Sequence, residues 1–374
     1  MRNLSGFIIV KDSINTIKEC LDALSKVAEE IIVVDTGSTD GTLEFLLNYR
    51  DDVDFKVYQF KWVNHFAKAR NFALSKCGYD WCFFVDADEI LTQEAIDVIN
   101  DLKANDFYGY KAYWCENPTE TYYAPRLELF DKSCGFEFKG AVHEYIDPFT
   151  VNLEDIGLVK TPINHISNKD LVYSKAKNYL KIFQKSLEDG ELNSVRDFYY
   201  YSCACAMAGE AEKAIHACNV AIELYKLNPN KVLRSDIVNV CDQIAMCILF
   251  ISDDEESKMK AINCWKFALS IFERYDIHYF IADKLCELGN YSEAFEHIKA
   301  AKRISVEEEK SYDYFFVQKA VKSYYIPIRY LEIVCRGKFR QHIEEVEEFL
   351  HYAEQNGLVE DKGYLLIKEL YGNF

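Results

Sequence analysis

Short, continuous apolar runs alternate with helical patterns over roughly the first 105 residues of this 374-residue chain. The clearest apolar runs are residues 6–10, 30–35 and 81–85, and the clearest helical spacing covers residues 14–28. An apolar run without alternation is typical of a strand buried on both faces, as in a parallel sheet. Strands that alternate with helices in this way predict a doubly wound α/β layer. Later strands are predicted near residues 107–115, 125–131 and 158–165.

The strand patterns end at about residue 170, and the rest of the chain is predicted to be helix after helix. Two segments, 198–221 and 278–301, place small residues and a glycine at the spacing of tetratricopeptide units. We therefore predict an α/β domain over residues 1–170 and an all-α, tetratricopeptide-like domain over residues 171–374. A helical domain without true repeats is the alternative.

The composition argues against several classes of partner and location. The chain has 43 Lys and Arg against 61 Asp and Glu, and its formal net charge of −18 repels nucleic acid and anionic membranes. No apolar run approaches the roughly 20 residues of a membrane span, and no secretory signal is recognisable. The 13 cysteines are odd in number, which favours reduced thiols. These features predict a cytoplasmic protein.

The segment Asp86-Ala87-Asp88 follows the apolar strand 81–85. Two carboxylates separated by one residue at a strand end can face the same crevice, where oxygen ligands hold a divalent metal that also binds phosphates. The alternative is that these acidic residues only cap the next helix.

A second acidic strand end supports the crevice. Asp35 ends the run 30–35 and precedes the turn 36–42, which is rich in Gly, Ser and Thr. A carboxylate in this position can accept hydrogen bonds from a nucleobase or a ribose. The glycine-rich fingerprints of dinucleotide-binding and phosphate-loop proteins are absent, and the segment 143–147 lacks the second histidine of a zinc-protease helix.

Together these motifs resemble the family 2 glycosyltransferases of the GT-A fold. The resembling segments are residues 7–12, 30–42, 62–74, 84–89, 125–127, 140–144 and 165. With its helical second half, the chain is most similar to the subgroup of sublancin-type enzymes, which glycosylate cysteine or serine of bacteriocin peptides. One departure, the segment 62–66, has an amide and an imidazole where relatives commonly have carboxylates, so the donor sugar stays open.

The resemblance implies a role for each matching residue. The UDP-sugar would contact Val10, Lys11, Asp35, Arg70, Asp86, Ala87 and Arg126. The metal, Mn²⁺ or Mg²⁺, would be held by Asp88, with Asp86 and His165 as further ligands. Guanidinium groups pair with two oxygens at once, so Arg70 and Arg126 suit the diphosphate. Both arginines could instead form structural ion pairs, and His165 could be an ordinary loop histidine.

Inverting transfer is a direct displacement at C1 of the sugar, and a base must remove the proton of the acceptor. Glu144 is the predicted base and His143 the second choice; alternatively, the two residues only orient a loop.

The sequence thus predicts a metal-dependent inverting hexosyltransferase that uses a UDP-sugar and a Cys or Ser/Thr side chain of a peptide or protein. The helical half would bind the acceptor or form a homodimer. The alternatives are an enzyme of cell-surface glycan biosynthesis and a non-catalytic repeat scaffold with a vestigial transferase domain.

Overall fold

The computed structural model of the chain describes residues 2–50, 52–117, 122–123, 125–165, 172–307, 317–318 and 321–374. These residues fold into two compact units, Met1–Ala208 and Gly209–Phe374. The first unit therefore includes about forty residues beyond the position at which the strand patterns end. The predicted boundary between residues 170 and 171 stays a prediction.

The first unit contains twelve strands and six α-helices within its described residues. The strands are β1 (Leu4–Val10), β2 (Glu30–Asp35), β3 (Asp54–Gln59), β4 (Trp81–Phe84), β5 (Glu89–Leu91), β6 (Ala112–Glu116), β7 (Tyr122–Tyr123), β8 (Arg126–Asp131), β9 (Phe138–Lys139), β10 (Tyr145–Ile146), β11 (Ile156–Lys160) and β12 (Ile163–His165). The helices are α1 (Ile17–Leu24), α2 (Thr42–Asn48), α3 (Phe66–Leu74), α4 (Gln93–Ala104), α5 (Val172–Glu188) and α6 (Val195–Met207).

Seven of the strands form one mixed sheet in the order β11-β6-β8-β4-β1-β2-β3. The neighbours from β4 to β3 are parallel, β8 runs antiparallel to β4 and β6, and β11 is parallel to β6. Because β1, β2 and β4 run in the same direction, the residues that follow them lie at one edge of the sheet. This confirms the predicted α/β layer and the convergence of its strand ends.

Two of the later strands differ in detail from the prediction. The predicted strand 158–165 is divided into β11 and β12, with Pro162 between them. Proline has no N–H to donate to a sheet ladder. After this break, β12 pairs antiparallel with β5, and His165 lies opposite Glu89. Because β12 pairs with β5 and not with the main sheet, His165 lies close to Asp88.

The core of the first unit lies between the sheet and helices α1 and α4. At Gly6 on β1, an added Cβ would lie 2.8 Å from Cδ2 of Leu24 on α1. Real Cβ atoms essentially never come that close, so the absence of a side chain at Gly6 allows α1 to pack tightly against β1. All 13 cysteines are free thiols, as their odd number indicated.

The second unit consists almost entirely of helices in its described part. The elements are α7 (Ala211–Leu227), α8 (Arg234–Ile251), α9 (Glu255–Ile271), α10 (Tyr275–Glu287), α11 (Tyr291–Glu307), β13 (Val317–Gln318), α12 (Ile326–Gly337), α13 (Ile343–Gln355) and α14 (Lys362–Gly372). Helices α10 and α11 form a hairpin in which Gly289 has φ +75° and Ala294 and Ala301 are fully buried. The predicted helical region is confirmed.

Replacing Gly6 by alanine should lower the free energy of unfolding by about 1–3 kcal/mol, because the new methyl group overpacks against Leu24. Urea denaturation of the full chain measures this cost. The control is the same substitution in a Leu24→Ala background, where the cost should fall by at least about half. An unchanged cost in that background would show that Leu24 is not what excludes a side chain at residue 6.

Candidate active site

The ends of β1 and β2 are joined by hydrogen bonds that leave one carboxylate oxygen unused. Val10 lies opposite Asp35, and its carbonyl accepts a hydrogen bond from the Thr36 amide at 2.9 Å. Oδ1 of the buried Asp35 accepts from the amides of Gly37 and Ser38 at 2.9 and 3.1 Å. Oδ2 of Asp35 is buried and has no hydrogen-bond partner among the described residues. A buried oxygen without a partner is costly, and a ligand with a donor group would remove that cost.

The loops after β1 and β2 are joined by side chain–backbone hydrogen bonds. Asp12 Oδ1 accepts from the Thr39 amide at 2.7 Å, and Asp40 Oδ2 accepts from the Ile14 amide at 3.0 Å. Lys11 stands exposed at the start of the first loop. The two loops are thus fixed relative to each other beside Asp35.

Arg70 lies at the centre of the site. Its side chain is only 3% exposed, and it comes from α3, which packs against β1, β2 and β9. Its Nη2 donates to Asp86 Oδ1, and its Nε donates to Glu144 Oε1 at 2.9 Å. A buried guanidinium requires such partners because an unpaired charge is very costly away from water. Arg70 therefore links the end of β4 to the loop that carries Glu144.

Arg126 approaches Asp86 from the other side. Its Nη1 is 3.3 Å from Asp86 Oδ2, and its Nη2 contacts Glu89 Oε1 and lies 2.5 Å from Glu128 Oε1. Burial disfavours the charged form of Asp86, but Arg70 and Arg126 outweigh this effect and hold its pKa below the usual range. For Glu89, burial dominates and raises the pKa.

Both arginines thus form ion pairs with carboxylates in this structure, which was the alternative that the sequence left open. Their role at a diphosphate stays a prediction. Four carboxylates, those of Asp86, Glu89, Glu128 and Glu144, surround the two guanidinium groups. Such an excess of acidic groups favours the binding of a cation at the same edge.

The predicted metal ligands lie in two places. His165 Nε2 is 3.2 Å from Asp88 Oδ2, and both side chains are accessible to solvent. Asp86, by contrast, has both oxygens bound to arginine, and Ala87 between the two aspartates is buried. Among the described residues, no three His, Cys, Asp or Glu side chains are grouped closely enough to hold a metal. A carboxylate and an imidazole fit Mn²⁺ or Mg²⁺ where phosphate oxygens and water complete the coordination.

His143 and Glu144 lie in the loop between β9 and β10. Glu144 is 12% exposed in its side chain and contacts Arg70. His143 has φ +53°, a left-handed conformation that costs a residue with a Cβ about 1–2 kcal/mol. His143 is exposed to solvent in part, and desolvation by the protein around its ring lowers the pKa of His143.

Glu89 and Glu128 were not among the site residues predicted from the sequence. Glu89 directly follows the Asp86–Asp88 motif, and Glu128 is two residues after Arg126 on β8, so their side chains share one face of the strand. An acidic residue two positions after a predicted functional arginine was the sequence feature that could have indicated the ion pair of Arg126 with Glu128.

Comparison with known proteins matches part of the chain to a family model. Residues 5–156 match the model of glycosyl transferase family 2. These residues therefore form a domain similar to family 2 glycosyltransferases, and the predicted fold class, a GT-A α/β domain followed by a helical region, is confirmed. Within the described part of the chain, no helix is long and apolar enough to cross a membrane.

The individual relatives match this chain either at low sequence identity or over a short segment. Glycosyltransferase SunS of the SPbeta prophage in Bacillus subtilis (strain 168) is 25% identical over 242 residues, which are 63% of this chain and 57% of SunS. The chain thus spans a little over half of the length of that relative. Lipopolysaccharide core biosynthesis glycosyltransferase LpsC of Rhizobium meliloti (strain 1021) is 35% identical over 101 residues, 27% of this chain and 37% of LpsC.

Among solved structures, residues 1–349 of S. aureus TarS in complex with UDP-GlcNAc are 14% identical, with a TM-score of 0.39. That alignment covers 82% of this chain and 92% of the TarS fragment.

Replacing Arg70 by methionine should lower the free energy of unfolding by about 3–5 kcal/mol, because Asp86 and Glu144 lose their buried partner. Urea denaturation at pH 7 measures this loss. The difference in the free energy of unfolding between the wild type and Arg70→Met should shrink as the pH falls below about 3.9. In that range the carboxyl of Asp86 becomes protonated in the unfolded chain, so the stability that its lowered pKa contributes to the folded wild type is lost.

The matched control is Lys68→Met on the same helix. Lys68 makes an exposed ion pair with Glu191 at 2.7 Å, and its loss should cost about 0–1 kcal/mol. Equal costs for the two variants would contradict the central place of Arg70 in the site.

Proposed function

We propose that this protein is a metal-dependent, inverting glycosyltransferase that moves a hexose from a UDP-sugar to a Cys or Ser/Thr side chain of a peptide or protein. The observation that carries the proposal is the buried Arg70, which connects Asp86 at a strand end with Glu144 inside a family 2 domain. This connection couples a donor-binding edge to a carboxylate that can act as a base.

The donor would bind at the ends of β1 and β2. The unpartnered Oδ2 of Asp35 can accept the N3–H of a uracil ring, and Val10 and Lys11 lie beside it on the neighbouring strand end. The ribose would lie near Asp86 and Ala87. This arrangement supports a pyrimidine nucleotide as the carrier of the sugar.

The diphosphate would lie farther along the same edge, near Arg126 and Asp88. The side chain of Arg126 is 38% exposed, against 3% for Arg70, so Arg126 can reach a ligand from its present position. Asp88 and His165 would hold the metal, with Asp86 as the further ligand that the resemblance implied. A bound Mn²⁺ or Mg²⁺ supplies positive charge that stabilises the departing diphosphate.

Glu144 would act as the general base. Its Oε1 accepts the hydrogen bond from Arg70, and its Oε2 has no hydrogen bond within the described residues. In the transfer, the acceptor sulfur or oxygen forms a bond to C1 of the sugar, the bond from C1 to the phosphate oxygen breaks, and Glu144 takes the acceptor proton. The inverted sugar stays on the peptide and UDP leaves with the electron pair.

The acceptor class rests on the resemblance to sublancin-type enzymes and on the helical region, residues 171–374, which would bind a peptide or form a homodimer. The similarity to SunS extends over 63% of the chain, and that to LpsC over 27%. The second candidate function, transfer to a cell-surface glycan, is favoured by the name of LpsC and its higher identity over the shorter segment.

The proposal predicts that the purified full-length chain releases nucleoside diphosphate from one UDP-sugar in a panel of UDP-, GDP- and TDP-sugars. Release should require Mn²⁺ or Mg²⁺ and stop with EDTA. Asp88→Asn should reduce metal-dependent release by at least about tenfold, because the metal loses a carboxylate ligand. The control Asp97→Asn, an exposed residue on α4, should release UDP at the wild-type rate.

Two outcomes would contradict this proposal. Release that persists in EDTA or in Asp88→Asn would refute the metal assignment. No release from any donor, together with no rise in melting temperature on adding UDP, would refute the transferase function.

Glu144→Gln should slow the reaction of an alcohol acceptor or water by about 10²–10⁴-fold, because the amide cannot take a proton. The affinity for UDP should stay within about twofold, since the amide oxygen of glutamine can still accept the hydrogen bond from Arg70. UDP release and UDP titration measure the two effects. A cysteine acceptor should show a smaller loss, because a thiolate forms without strong help from a base.

The control for this substitution is Glu137→Gln, an exposed glutamate that precedes the same loop. A wild-type rate in Glu144→Gln would assign the base to another residue, with His143 next.

A further inference from the structure

Helix α6 belongs to the same compact unit as the transferase domain, although it lies beyond the last strand of that domain. One of its side chains reaches the candidate active site. The ring of Tyr200 stacks on the ring of His143, with centroids 4.4 Å apart and planes 19° from parallel. Tyr179 of α5 meets the same imidazole edge-on, with centroids 5.5 Å apart.

The beginning of α6 is also fixed to the loop that carries His143. The hydroxyl of Tyr145 donates a hydrogen bond to Ser194 Oγ at 3.0 Å, and Ser194 is the N-cap residue of α6. The guanidinium of Arg196 lies 4.7 Å from the centroid of the Tyr145 ring. At Gly140, an added Cβ would be 3.5 Å from Oδ1 of Asp197. Residues on both sides of His143 therefore pack against the first turn of α6.

These contacts explain how His143 keeps an unfavourable backbone conformation. A residue with a Cβ holds a φ of +53° only where its surroundings fix it. The stacked ring of Tyr200 confines the imidazole, and the backbone of His143 sets the direction in which Glu144 leaves the loop. Glu144 then reaches Arg70.

We propose that Tyr200 is a positioning residue of the transferase site, whose ring holds His143 and thereby places the carboxylate of Glu144 for proton removal. This inference rests on the proposed function and extends it, because the transferase site would then include α6 as well as residues 5–156. In this proposal Tyr200 acts through its contact with His143.

The test compares Tyr200→Ala with Tyr200→Phe in the full-length chain. Tyr200→Ala should lower kcat for UDP-sugar hydrolysis by at least about tenfold and leave KM for the UDP-sugar within about twofold, because only the placement of the base changes. Tyr200→Phe keeps the stacked ring and should restore at least about half of kcat. Met207→Ala, an exposed position on the same helix, is the control and should behave as wild type.

A second measurement follows the imidazole itself. The NMR titration of His143, assigned with a His143→Gln variant, should show a higher pKa in Tyr200→Ala than in the wild type, because water regains access to the ring. Tyr200→Phe should keep the wild-type pKa. This readout does not depend on activity.

A wild-type kcat and an unchanged His143 titration in Tyr200→Ala would overturn the inference. It would also be overturned if Tyr200→Phe failed to restore kcat. If the wild type hydrolysed no donor, the proposed function would fail, and the titration would still decide whether Tyr200 holds His143.

Discussion

The buried guanidinium of Arg70 is the group on which the arrangement of the site depends. It is in contact with Asp86 at the end of β4 and with Glu144 in the loop before β10, and these elements are far apart in the sequence. Removing a charge from water is favourable only when good partners are present, so Arg70 requires both carboxylates in place. The fold satisfies this requirement by packing α3 against the sheet beside the strand ends.

The same requirement explains the unequal roles of the two aspartates in Asp86-Ala87-Asp88. Asp86 follows the buried strand β4 and forms ion pairs with Arg70 and Arg126, whereas Asp88 contacts His165, although the two aspartate side chains are similarly exposed, at 38% and 39%. The partners of the two aspartates therefore differ: both oxygens of Asp86 are bound to arginine, and Asp88 has no arginine partner among its ion pairs in the described residues.

Much of the fold could be predicted from the sequence. The strands β1, β2 and β4 were recognisable because a parallel strand buried on both faces leaves a continuous apolar run, and the helical region was recognisable from its period. The ion pair of Arg126 with Glu89 could not be predicted, because it depends on β8 lying antiparallel beside β4. The break at Pro162, which carries His165 to Asp88, was likewise missed within one predicted strand.

The α/β class of the domain and the edge of the sheet at which polar residues gather follow from local patterns in the sequence, since strand ends and turns are encoded by neighbouring residues. The candidate residues for donor, metal and base were implied by the resemblance to a family and stay predictions. Which of those residues touch depends on the tertiary structure. Arg70 meets Glu144, and Tyr200 meets His143, across separations of 74 and 57 residues that no local pattern records. Such contacts arise because burying a charge or a ring requires a specific partner, and the packing of distant elements supplies it.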